Sequence, residues 1–196
     1  MLHATVDETG VETQREVVKE EKRLRIDNRP YGSFQENIFS NSYPDHPYEI
    51  TPIGTMEDLN AASIEDFTDF YKTFYVPNNA TLSIAGAIDK DQAKALVEKY
   101  FGDIPRGTKE IPRPKPEFKM LEGEVTDTVY DNIQLPGVFI GYRMPPQGTS
   151  DTYALEMLNT VLSSGQSSRF YKSLVDDQQL GLAVQAFPYS LELGGL

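Results

Sequence analysis

A proline-rich run, IPRGTKEIPRPKPEF at residues 104–118, constrains this chain more than any other feature. Its four prolines fix φ and withhold backbone donors, so no regular helix passes through it. Such a stretch is stiff and extended and reads as a linker. The expected organisation is a first part at residues 1–103, a linker at 104–122 and a second part beginning at 123 and running to 196. With 196 residues, the chain has room for one large domain or two small ones, and the linker favours two.

Each side of the linker mixes helical and strand patterns. Val11 to Ile26 reads as a charged helix with a narrow apolar stripe, and Arg29 to Pro52 as an ordered loop with short helical turns. Ser63 caps a helix whose Phe67, Phe70, Tyr71 and Phe74 recur at i, i+3, i+4, i+7, the spacing of one buried face. Pro77 and Asn78-Asn79 end it, and ATLSIA at 80–85 reads as a strand. Asp89 caps a helix with Ala93, Leu96, Val97 and Tyr100 inward and Gly102 at its close. Beyond the linker, Glu124 to Tyr130 and Gly137 to Met144 read as strands. Thr149-Ser150 and Ser167-Ser168 each open a helix, and a last strand region starts near Leu182. The fold class is α+β, with sheets covered by helices on one side.

Composition removes several functions. The net charge is -12 with only 18 Lys and Arg, which argues against nucleic acid, because neutralising phosphates needs a basic face. The same charge repels anionic membranes and suits basic peptides or metals. No stretch reaches the roughly 20 apolar residues of a membrane span, and Met1 to Gly10 has no apolar run of a secretory signal. With no cysteine there is neither a disulfide nor a thiolate metal site. The expectation is a soluble protein whose compartment, periplasm or cytoplasm, stays open. The last residues, LAVQAFPYSLELGGL, alternate without a polar tail or closing turn. Both ends therefore read as cuts inside a longer polypeptide.

One carboxylate stands out. At ~100° per residue, Val17, Val18 and Leu24 share one side of the first helix, and Glu21 falls between them. Gln14 lies one heptad earlier on the same line. A carboxylate on an apolar stripe needs a partner, a proton or a cation. Arg25 at i+4 offers an ion pair. A metal is the alternative, but zinc takes about three protein ligands, and the only histidines are His3 and His46. His3 lies at the end of the chain, and His46 sits in a loop, YPDHPYEITPIG, where a structural role is the ordinary one. There is no HExxH or HxxEH, no phosphate-binding glycine loop and no nucleophile elbow.

Several segments resemble the M16 metallopeptidases, the pitrilysin, insulinase and mitochondrial-processing-peptidase family. QREVVKEE at 14–21 resembles the family's E-R-x-V-V-x-E-E segment. HPYEITPIGT resembles its H-P-Y…P-x-G loop. FYKTFYVPNNATLSIAGAIDKDQAKALVEKYFGDIP resembles a helix, strand, helix stretch, and SSGQSSRFYKSLVDDQQLGLAV the later G-x-S-S-R-L segment, with departures at Ser163-Ser164 and Val175-Asp176-Asp177. The resemblance implies a metallopeptidase M16-like (LuxS/MPP-like) fold of antiparallel sheets covered by helices. Residues 1–103 would be the later part of one such subdomain and 123–196 the start of the next. It also implies a zinc endopeptidase in which an upstream HxxEH supplies two histidines and the general base, and Glu21 the third ligand. Gln14 stands where many members carry a supporting glutamate. Implied partners are a peptide substrate and a second M16-like half or subunit. The chain alone would be inactive and bind no zinc tightly. The competing expectations are a non-catalytic paralogue acting as partner or scaffold, and an unrelated acidic binding module.

Overall fold

The computed structural model describes residues 4–113 and 115–196. These fall into two compact units, one built up to Gly32 and from Ile50–Glu117, the other from Ser33–Glu49 and Phe118–Leu196.

In the first unit, helix α1 spans Glu8–Lys22 and continues into a wide π turn at Arg23–Asp27. It starts earlier than its apolar stripe suggests, because Asp7 caps it through the Gly10 N–H at 2.7 Å. Helix α3, Met56–Ala61, is capped by Thr55, and helix α4, Ile64–Phe74, by Ser63 in a reciprocal box with Asp66. The Ser63 N–H and hydroxyl both donate to Asp66, which holds that carboxyl below its ordinary range. A 3₁₀ turn at Pro77–Asn79 follows, then helix α5, Lys90–Phe101, capped by Asp89. The proline-rich segment folds back on that turn. The Gly107 N–H donates to Asn78 Oδ1 at 2.8 Å, and Arg113 donates to Asn79.

In the second unit, helix α2 spans Phe34–Ser42. The aromatic, Pro-, Asn- and Ser-rich sequence suggested an ordered loop with short helical turns here, and in the structure Ser33 makes no side-chain capping bond. Its apolar side supplies Phe39 and, just beyond, Tyr43, which are 6% and 1% exposed. Helix α6, Ser150–Ser163, starts at Thr149, and a π turn occupies Tyr171–Asp177. Strands β1, Ser190–Leu191, and β2, Gly194–Gly195, pair antiparallel, and Met144 bridges to Gly195.

The other expected strands differ from expectation. Residues 80–85, 124–130 and 137–143 join no ladder among the described residues, and the last strand forms at 190 rather than near 182. Their apolar side chains stand open: Val138 is 86% and Tyr142 78% exposed. The α4 aromatics do share one face, with Phe70 and Phe74 rings 4.7 Å apart, but Phe70 is 58% exposed. An open apolar groove of about 420 Å³ runs between α5 and residues 82–88, lined by Leu82, Ile84, Leu96, Val97 and Tyr100. The accessible surface is 15392 Å². Two independent domains, each half of 22.0 kDa, would together expose only about 11,200 Å². The sequence thus specifies more apolar faces than its own described residues cover.

Candidate functional site

Helix α1 carries the candidate ligand, and a ladder of charge pairs defines its outer surface. Arg15 pairs with Glu12 at 3.0 Å, Lys19 with Glu16 at 2.7 Å and Arg23 with Glu20 at 3.2 Å. The Lys19 bond is the main reason the exposed Glu16 carboxyl titrates below its ordinary range. Arg15 does more than pair. Its guanidinium donates to the Leu59 carbonyl and, at 2.7 Å, to the Ala62 carbonyl, so it satisfies the free C-terminal carbonyls of α3. Its side chain is only 10% exposed. These bonds tie α1 to the end of α3, and a charged residue between Gln14 and Glu16 gives no sequence sign of them.

Glu21 lies on the turn before α1 widens. Its Oε1 receives Arg25 Nη1 at 2.9 Å, with the two side chains 39% and 72% exposed. The ion pair offered by the i+4 spacing is therefore present. The apolar stripe around it is not buried: Val17 is 53% and Leu24 61% exposed. The Glu21 carboxylate accordingly sits at an open helix face with its Oε1 paired to a solvent-facing arginine. Gln14, two turns earlier, is exposed.

His3 lies outside the described residues. His46 belongs to the second unit, is 5% exposed, and is packed among aromatic rings, a structural setting. Among the described residues no group of three or more His, Cys, Asp and Glu side chains is arranged to hold a metal. Among the described residues, the Glu21 carboxylate therefore belongs to no such group, whereas zinc needs about three protein ligands.

The sequence pattern described as "Peptidase M16 inactive domain" matches residues 61–196. The chain belongs to the M16 peptidase family. Its fold agrees with this assignment. A solved protease from Helicobacter pylori superposes with a TM-score of 0.83 at 29% identity, covering 97% of this chain and 47% of that one. A peptidase M16 inactive domain from Pseudomonas fluorescens, at 13% identity and a TM-score of 0.64, shares the fold over 96% of this chain and 45% of its own. Among curated proteins, the zinc protease PqqE of Helicobacter pylori is 34% identical over 182 residues, 92% of this chain and 40% of its own length. The uncharacterized zinc protease YmxG of Bacillus subtilis is 26% identical over 198 residues, 100% of this chain and 46% of its own. The chain thus spans less than half the length of these relatives. The M16 fold is α+β, as the mixed helix and strand pattern implied. No described helix is long and apolar enough to cross a membrane.

Proposed function

We propose that this chain serves as part of a zinc-dependent endopeptidase, to which it contributes one metal ligand, Glu21, and no catalytic group of its own. The observation that carries this reading is the placement of Glu21. It stands on an open face of α1 inside QREVVKEE, and its Oε1 is paired with the exposed Arg25. An exposed pair of this kind is worth about 0–1 kcal/mol, little enough for a stronger cation to replace the arginine. Relatives named zinc protease match this region of the chain and extend well beyond its length. The remaining ligands, the general base and the opposing substrate-binding half would come from segments outside this chain. The long unpaired apolar segments, which need sheet partners, are in keeping with that arrangement. Residues 1–103 and 123–196 would then belong to successive M16-like subdomains, joined by the linker at 104–122. The substrate would be a peptide or unfolded polypeptide.

A second reading is a non-catalytic M16 partner subunit, favoured by Gln14, which offers an amide where a supporting carboxylate would strengthen a metal site. Zinc analysis of the full-length polypeptide that carries this chain separates the two. Under the peptidase reading, it holds stoichiometric zinc after dialysis and loses it in Glu21→Gln, while the 196-residue chain alone holds none and cleaves no peptide. Zinc-free full-length protein, without peptidase activity at saturating zinc, would support the partner reading instead.

A further inference from the structure

We propose that His46 is an acid-sensitive latch in the second unit: as the neutral imidazole it locks the 43–49 loop that clasps the β1–β2 hairpin, and protonation releases that clasp. The loop holds the hairpin at two points. The Tyr43 hydroxyl donates to the Gly195 carbonyl at 2.5 Å, and the Leu193 N–H donates to the Tyr48 hydroxyl at 3.0 Å. His46 sits between these two tyrosines. Its ring centroid lies 5.3 Å from that of Tyr43 and 4.6 Å from those of Tyr48 and Phe118.

The hydrogen bonding fixes the protonation state. His46 Nδ1 accepts the Tyr48 N–H at 3.1 Å, so the single proton of the neutral ring is on Nε2. Nε2 is itself buried without a hydrogen-bond partner. A second proton has to go on Nδ1, where it would face the Tyr48 N–H donor and break the turn that aims the Tyr48 hydroxyl at the hairpin. It would also place a charge in a water-poor sleeve near another cation. Arg143 reaches in from the neighbouring segment, 4.9 Å over the Tyr43 ring, and donates to the Ser42 and Lys119 carbonyls.

The remaining charged groups around the loop do not offset this. Asp45 is exposed and ion-paired to Lys119, and Glu49 Oε2 accepts the Asp45 N–H at 2.9 Å. Neither carboxylate reaches Nε2. Tyr43 adds no charge, since burial raises its phenol above the ordinary range. Burial first, and the Arg143 charge second, lower the His46 pKa below 6.5. The unfolded chain therefore takes up a proton before the folded one. The contribution of His46 is complete above about pH 6.5 and is lost as pH falls from there through the folded-state pKa.

The test follows the two histidines of the full 196-residue chain by NMR, together with amide exchange and thermal unfolding between pH 7.5 and 5.5, a range that stays above the ordinary Asp and Glu values of about 4. The His46 ring is expected to titrate below 6.5 as the Nε2–H tautomer. Protection of the Leu193 and Leu196 amides should fall as the medium is acidified, by up to tenfold for each unit of pKa depression. Thermal stability should fall in parallel, in His3→Gln as in the native chain, but not in His46→Gln. Titration of His46 at or above 6.5, or an equal pH response in native and His46→Gln chains, would overturn the proposal. If His46→Gln does not fold, the titration of the native ring decides alone.

Discussion

Arg15 shows how one side chain can carry more structure than its sequence context reveals. Its fork reaches two carbonyls at the end of α3 while its stem is covered. Hydrogen bonds to a charged donor contribute about 1.5–3 kcal/mol, and those carbonyls have no helical partner to fall back on. Arg15→Ala should therefore destabilise the first unit by about 2 kcal/mol in urea unfolding. Arg15→Lys should recover less than half of that loss, since an ammonium cannot span both acceptors as a planar fork does. Glu21→Gln behaves oppositely. It removes only a half-exposed ion pair and should shift stability by less than about 0.5 kcal/mol. Glu21 and its partner Arg25 were both legible from helical spacing. Arg15 was not, because its acceptors lie 44 and 47 residues away.

At the scale of elements, the capped helices were the most readable. Asp89, Thr149 and Ser63 each precede an apolar rhythm, and each accepts a backbone N–H where the pattern placed it. Helix α2 was read only as short helical turns within an ordered loop, because its Asn- and Ser-rich segment lacks a clear apolar rhythm and its stability comes from Phe39 and Tyr43 packing in the second unit. The strands were read correctly as apolar and misread as paired, since alternation records a need for neighbours and does not supply them. The β1–β2 hairpin depends on a glycine. A Cβ at Gly195 would lie 2.2 Å from the carbonyl oxygen of Tyr189, the residue just before β1. Gly195→Ala should cost about 1–3 kcal/mol and open the hairpin, seen as loss of protection at the Leu196 amide. Gly194→Ala should be destabilising too, because its φ of 152° lies in a region that L residues rarely adopt.

Across the whole molecule, the accessible surface exceeds what two self-sufficient units of this mass would show. The exposed apolar segments at 82–88 and 137–142, and the groove beside α5, should bind an apolar dye such as ANS in the isolated chain. The dye signal should fall in the full-length polypeptide. Equal binding by both would mean that these faces are not covered in the longer protein. The family was legible because short motifs kept their order over nearly the whole chain; of the proposed metal site only Glu21 could be named, because the other ligands it would need have no candidate motif in this sequence. The most direct measurement is the zinc content of the full-length polypeptide, native and Glu21→Gln, with thermal unfolding of both metal-free forms. The account predicts stoichiometric zinc in the native protein, none in the variant, and matching stability once the metal is stripped. Zinc retained by Glu21→Gln at the native level would contradict it.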